Sequence, residues 1–369
     1  MHFGLTDEQN LLQNTLRRFT ADEVSAPRLR EIFDEGRGFD PSIWKAASEI
    51  GLCGLIVPEA YGGAGLDLLD LALAFEILGE AAVPGPFLGH TLATQAILLA
   101  GSDSQKEKWL PRLASGDCVA GFAFAETGER WTSTEWKTAS KANRVSGTKT
   151  FAEVGPETGL IVVGLAGGGL GLVDPQGSGL TRKPVNGIDR TRPLADLYFD
   201  DVAIEELVAP VVPPVSAGPA ERAVDRVLDT ARVLLAADAL GAAGRLIRVT
   251  AEYAQAREQF GTKIAQFQAV KHELANMAMA AESMRGLIWY AAYALDHLPH
   301  EREREAATTK AHATDAAVKI ARSAVALHGG IGFTWECDVQ FFLKRTMFDR
   351  VWLGSPEAHR ERVAALEHW

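Results

Sequence analysis

Arg257-Glu258-Gln259-Phe260-Gly261-Thr262-Lys263-Ile264-Ala265-Gln266-Phe267-Gln268-Ala269-Val270 separates two long runs of helical character. Glycine at 261 permits a tight turn, so the stretch predicts a helix end, a turn and a new helix start. Three of its side chains have binding chemistry. Arg257 carries a planar fork of donors suited to phosphate oxygens. Phe260 offers a flat apolar face, and Gln268 can read the edge of a ring or sugar. Read by itself, the stretch also describes a surface arginine beside a buried phenylalanine. Further on, His328-Gly329-Gly330-Ile331-Gly332-Phe333-Thr334 strips side chains from a short backbone segment, so that a ligand can lie against bare amides. A helix C-terminus with a glycine cap has the same composition.

Around these stretches the chain divides by pattern. Its 369 residues suggest two or three domains. Residues 5 to about 115 read as helices, beginning with a capping box at Thr6 and Gln9 and with Leu12, Leu16 and Phe19 at helical spacing. A second helical run, Leu66 to Leu78, follows the turn-rich Pro58 to Gly65. Residues 117 to about 215 change character. Phe122 to Ala125, Val145 to Phe151, Leu160 to Val163, Leu170 to Val173 and Leu197 to Val202 read as short strands. Gly167-Gly168-Gly169-Leu170-Gly171 lacks the last glycine of a nucleotide loop and leads into a strand, so it reads as a hairpin turn. Pro210 to Pro219 reads as a linker. From about 220 onward the pattern is helical and alanine-rich, as in Ala231 to Leu246 and Ala306 to Leu327. Such small residues let helices approach closely, and their many apolar faces predict an oligomer.

Composition narrows the function. Hydrophobic residues make up 47% and charged residues 23%, as in ordinary globular proteins. The net charge of −11 argues against nucleic acid or an anionic membrane as partner, while leaving room for a local basic pocket. Cys53, Cys118 and Cys337 have no zinc or disulfide spacing and read as reduced thiols, with no metal expected. No apolar run reaches the ~18 residues of a membrane span, and the start of the chain lacks a signal-peptide pattern. A cytoplasmic location is expected.

Together and in this order, the Arg257 and His328 stretches resemble those of the acyl-CoA dehydrogenase family. So do Leu52-Cys53-Gly54-Leu55-Ile56-Val57-Pro58-Glu59-Ala60-Tyr61-Gly62-Gly63-Ala64-Gly65, Gly147-Thr148-Lys149-Thr150-Phe151 and Phe199-Asp200-Asp201-Val202. The resemblance covers almost the whole chain. It implies an α+β fold with a helical N-terminal domain (1–116), a small β-barrel-like middle domain (117–215) and a C-terminal four-helix bundle (220–369) that carries the FAD and oligomer interface. The implied chemistry is α,β-dehydrogenation of an acyl-CoA thioester, with FAD as cofactor. A carboxylate removes the α-proton while the β-hydride moves to flavin N5, and hydrogen bonds polarise the thioester carbonyl. In the family the flavin ring sits in one subunit's cleft, and the neighbour holds the pyrophosphate and adenine. The matching holding positions are Arg257, Gln259, Phe260, Gln268, Gly329, Gly330 and Gly332.

The chain departs from the family at the reacting end. Of the family's two base positions, the C-terminal loop Val351-Trp352-Leu353-Gly354-Ser355-Pro356-Glu357 holds Leu353, and the helix position in Leu228-Asp229-Thr230-Ala231-Arg232 holds Ala231. Neither accepts a proton. Asp238 returns to the face of Ala231 but is displaced by about 10 Å along the helix. It is expected to meet a buried partner instead. Asp229 points to nearly the opposite side, and Glu357 follows the loop. The family's Leu-Thr-Glu-Pro-x-x-Gly-Ser-Asp segment is replaced by Phe124-Ala125-Glu126-Thr127-Gly128-Glu129-Arg130-Trp131-Thr132. Where the family places a threonine at flavin N5, this chain has Glu153. A carboxylate there would oppose a reduced flavin by roughly 4 kcal/mol at ~4 Å and an effective dielectric of about 20. The alternative turns Glu153 into solvent.

These departures resemble the glutamate-lacking partner subunit of heterotetrameric, actinobacterial-type acyl-CoA dehydrogenases. The resemblance implies a homologous catalytic subunit in an α2β2 assembly, an acyl-CoA substrate as bulky as a steroid side-chain ester, and an electron-transfer flavoprotein or similar acceptor. Two readings of another kind stay open: a self-sufficient homo-oligomeric dehydrogenase with a displaced base, and a non-redox acyl-CoA-binding scaffold.

Overall fold

A computed structural model describes residues 4–128, 130–207, 211–212 and 221–367. Glu129 and the Pro210-to-Pro219 linker, apart from Val211 and Val212, lie outside the described residues.

Six helices come first: α1 (Asp7–Glu23), α2 (Ala26–Glu35), α3 (Pro41–Glu49), α4 (Leu68–Glu80), α5 (Phe87–Ala100) and α6 (Asp103–Ala114). Their starts follow local chemistry. Thr6 and Gln9 form the expected reciprocal cap on α1, at 3.2 and 3.0 Å. Ser102 and Gln105 repeat the device on α6. His90 of α5 ties this layer to the sheet that follows. Its Nδ1 accepts from the Ala120 amide at 3.2 Å, which leaves Nε2 to donate to the Leu113 carbonyl at 3.2 Å.

The His90 ring is therefore neutral, and burial lowers its pKa to about 4. The unfolded chain takes up this proton near 6.5 and the folded chain does not, so stability falls as pH drops from 6.5 toward 4. Unfolding midpoints at pH 7, 6 and 5 should show a slope steeper in the wild type than in His90→Asn by about 1.4 kcal/mol per pH unit. Equal slopes would contradict it.

The middle of the chain forms β1 (Val119–Ala123), β2 (Ala139–Lys141), β3 (Arg144–Glu153), β4 (Thr158–Gly164), β5 (Leu170–Val173), β6 (Leu180–Pro184), β7 (Leu194–Ala203) and β8 (Glu205–Glu206). They make two four-stranded sheets, ordered β1-β4-β5-β8 and β2-β3-β7-β6. The β1–β4 pair is parallel and the other pairs in these sheets are antiparallel. Alternation explains why β4 reads as a continuous apolar run. Ile161 and Val163 face the core between the sheets, while Leu160 and Val162 face the helices. The triglycine segment connects β4 to β5 as a hairpin, with Val163 opposite Gly171. Strands β2, β6 and β8 escape the sequence reading because they are short or solvent-facing and polar.

A two-residue strand pair, β9 (Val211–Val212) with β10 (Glu221–Arg222), leads into α7 (Ala223–Ala256). A small hairpin, β11 (Glu258–Gln259) and β12 (Thr262–Lys263), then precedes α8 (Gln268–His297), α9 (Arg302–His328), α10 (Val339–Val351) and α11 (Pro356–Leu366). Helices α7 to α10 form the bundle, and α11 packs on α9. Helix α4 crosses α7 at a reciprocal glycine contact. A Cβ on Gly79 would stand 1.9 Å from the Asp238 carbonyl oxygen, and one on Gly241 would stand 1.8 Å from that of Glu76. Backbone therefore meets backbone, and neither position accepts alanine without parting the helices. On the outside of α8, Met279, Tyr290 and Tyr293 remain exposed.

Candidate functional site

The Arg257 stretch is a hairpin rather than a simple glycine turn. Glu258 and Gln259 pair with Lys263 and Thr262, and the two residues between them, Phe260 and Gly261, have φ of +54° and +76°. Both central residues are left-handed, as a two-residue hairpin of this hand requires. The Phe260 ring is 94% exposed, which corrects the alternative of a buried phenylalanine. Arg257 caps α7 and is exposed, with no ion pair to another described residue. Gln259 and Gln268 are also exposed, the latter at the first position of α8.

The glycine stretch lies beside this hairpin. Tyr253, one turn before Arg257, stacks on His328 at 4.4 Å and donates to the His328 carbonyl at 3.2 Å. Gly329 ends α9 with φ +63° and ψ −141°, a conformation reserved for glycine. A Cβ on Gly329 or Gly330 would meet open space. Gly332 is different: it is buried, and a Cβ there would stand 2.4 Å from the Val325 carbonyl oxygen. Its lack of a side chain is needed for packing within the chain. Tyr253 was not singled out from sequence. Its only signal is helical spacing from Arg257.

The segments matched to the ring and base positions meet elsewhere, where the sheets face α10. Trp352 is buried, with its ring 5.0 Å from Phe124 edge-on and 5.8 Å from Phe348. Its indole N–H donates to the Phe151 carbonyl at 3.1 Å. Trp131 lies 6.4 Å from Trp352 and stacks on Phe151 at 6.5 Å. Below them Lys149, fully buried, pairs with Glu126 at 2.8 Å and donates to the Phe124 carbonyl. Burial lowers the Lys149 pKa to about 8. Aromatic side chains thus occupy the space between these segments.

Leu353 is 1% exposed and has φ +68°, so the loop turns it into the interior. Lys310 holds this loop by donating to the carbonyls of Asp349 and Arg350 at the end of α10. His359 is buried, and its pKa is pushed down to about 2, first by burial and then by Arg232 and Lys310. Ala231 is fully buried. Asp229 is paired with Arg232. Glu357 is exposed in the first turn of α11, 3.1 Å from Arg350.

Glu153 takes neither expected position. It is 1% exposed and faces inward, accepting from the Gly89 amide and from Arg192, the latter at 3.2 Å. It belongs to a buried ionic cluster in which Arg192 also meets Asp189, Asp238 and Asp349, and Arg345 grips Asp238 through two bonds of 2.7 and 2.8 Å. The anticipated repulsion of a reduced flavin has no basis in this geometry. Asp238 has the buried partner expected for it.

Comparison with known proteins settles the family. The N-terminal domain model of acyl-CoA dehydrogenases matches residues 6–117, and the C-terminal domain model matches 221–366. Acyl-CoA dehydrogenase IpdE2 of Mycobacterium tuberculosis is 30% identical over 98% of this chain and 96% of its own length. The chain belongs to the acyl-CoA dehydrogenase family. The mitochondrial short-chain specific acyl-CoA dehydrogenase of Sus scrofa is also 30% identical, over 98% of this chain and 90% of its own. Among solved structures, a variant of the steroid acyl-CoA dehydrogenase Tcur3481-Tcur3483 superposes with a TM-score of 0.89 at 29% identity, covering 98% of each chain.

Acyl-CoA dehydrogenases are flavoproteins that bind FAD. The two ends of that cofactor fit this chain unequally. An exposed arginine with no ion pair among the described residues, an exposed aromatic face and open glycine backbone suit a pyrophosphate and a flat heteroaromatic ring. Around Trp352 the rings of Phe124, Trp131 and Phe348 pack together, with Phe151 half-exposed at the edge. No described helix is long and apolar enough to cross a membrane, and no described cluster of side chains could hold a metal ion.

Proposed function

We propose that this chain is the partner subunit of a heteromeric acyl-CoA dehydrogenase, in which it holds the adenine and pyrophosphate end of FAD for a homologous catalytic subunit. The observation that carries the proposal is an asymmetry. Arg257, Phe260, Gly329 and Gly330 lie exposed on the surface, whereas Phe124, Trp131 and Trp352 pack on one another beside a buried Leu353, with the half-exposed Phe151 at their edge.

When bound, FAD supplies the hydride acceptor. This chain's residues bind and orient it. Arg257 neutralises phosphate charge, Phe260 covers the adenine face, and Gln259, Gln268 and the Gly329-to-Gly332 turn supply polar contacts around it. The base, the ring cleft and the thioester site belong to the catalytic subunit, because both base positions here are apolar. An α2β2 arrangement follows from two such pairs. The likeness to IpdE2 and to a steroid acyl-CoA dehydrogenase structure supports a bulky thioester as substrate. An electron-transfer flavoprotein or similar protein would be the acceptor. Cytoplasmic location accords with this role.

Co-expression with a glutamate-bearing homologue tests the proposal. This chain alone should purify without flavin, and the mixed assembly should carry it. Arg257→Ala should weaken FAD binding in that assembly by roughly 10- to 100-fold, the worth of a charge-assisted bond to phosphate, while leaving the chain folded. Unchanged flavin occupancy would refute the half-site. Stoichiometric FAD that bleaches with acyl-CoA on this chain alone would favour a self-sufficient enzyme.

A further inference from the structure

Arg257 and the Gly329–Gly330 turn belong to different helices, yet a single dinucleotide tail must meet both. Tyr253 connects them. Its backbone carbonyl accepts from the Arg257 amide at 2.8 Å and so fixes where α7 ends. Its phenol donates to the His328 carbonyl at 3.2 Å, and its ring lies on the His328 imidazole at 4.4 Å and 22°. The imidazole is itself held from beneath, with Nδ1 2.8 Å from the Ala324 carbonyl.

The bond to the His328 carbonyl matters because that oxygen and the Gly329 amide belong to one rigid peptide plane. Tyr253 grips the oxygen side of this plane, and the Ala326 carbonyl accepts from the amide side. With the plane clamped at both ends, the two torsions of Gly329, φ +63° and ψ −141°, decide where the bare backbone of Gly330 points. Tyr253 is only half-buried, so the core does not require it.

We propose that Tyr253 is a positioning residue that sets the spacing between the Arg257 hairpin and the Gly329 turn, so that one FAD tail contacts both. The inference rests on the half-site reading above. Two variants separate its two grips: Tyr253→Phe keeps the stack and loses the hydrogen bond, and Tyr253→Ala loses both. Hydrogen exchange on the flavin-free chain should quicken at residues 330–333 in both variants and more in Tyr253→Ala, while the core of α7 and α9 stays protected. In the FAD-bearing assembly, the FAD dissociation constant should rise about five-fold for Tyr253→Phe, the loss of one neutral hydrogen bond. It should rise about fifty-fold for Tyr253→Ala.

A purely structural role would instead lower the stability of the whole bundle and leave the FAD affinity of folded protein alone, which would overturn the inference. Unchanged affinity in both variants, with Arg257→Ala weakened, would also overturn it and leave the half-site standing. Unchanged affinity in Arg257→Ala as well would remove the half-site and this inference together. If Tyr253→Ala does not fold, Tyr253→Phe alone decides.

Discussion

Replacing Arg345 with alanine is expected to destabilise the chain by about 3–5 kcal/mol, the cost of breaking a buried ion pair from one side. Its guanidinium makes two bonds to Asp238 and donates to Thr191 Oγ1 at 2.7 Å and to the Val83 carbonyl at 3.1 Å. These partners come from α7, the loop before β7 and the segment after α4, so one side chain ties all three parts of the chain together. The cluster holds four carboxylates, Glu153, Asp189, Asp238 and Asp349, against two arginines. Burial and the neighbouring Asp238 charge hold the Asp349 pKa well above its ordinary value. Without Arg345, only Arg192 would face the remaining charge. Urea unfolding of the variant measures the loss, and a change below about 1 kcal/mol would mean that water reaches the cluster. The paired change Arg345→Met with Asp238→Leu should cost less than Arg345→Ala, because the carboxylate that Arg345 grips is removed with it and Arg192 keeps Glu153, Asp189 and Asp349 as partners.

Trp352→Ala should cost about 3–5 kcal/mol, as large-to-small changes in aromatic cores do. The indole touches Phe124, Trp131 and Phe348 and donates to the Phe151 carbonyl. Its removal opens the space between the ring-matched segments. Even so, the opened variant should not reduce an artificial electron acceptor with any acyl-CoA when assayed alone. Leu353 and Ala231 still offer no proton acceptor. Urea midpoints check the first expectation and acceptor reduction the second. Turnover by the isolated variant would show that aromatic packing, rather than the missing base, silences this chain.

Much of the fold was legible because it is written in local chemistry. The Thr6–Gln9 cap, the apolar alternation of β4 and the small residues of α7 each force one conformation. Strands β2 and β6 were hidden because their neighbours, not their own composition, make them strands. The candidate site divided in the same way. The residues at Arg257 and Gly329 were named through the family resemblance, whereas the outward ring of Phe260 became visible only with the hairpin that carries it. Glu153 was misplaced because its partners, Arg192 and the Gly89 amide, come from distant parts of the chain. Tyr253 was missed for the same reason: the His328 carbonyl that it grips lies on another helix.

The outward rings of Phe260 and Phe333, 94% and 76% exposed, bear on how cells must handle this polypeptide. A copy released from the ribosome without company shows water the very groups that make new chains sticky and draw chaperones or proteases. Matched synthesis rates, as from a shared transcript, would shorten that vulnerable interval. Excess production of this polypeptide by itself should instead leave a smaller soluble share than paired production.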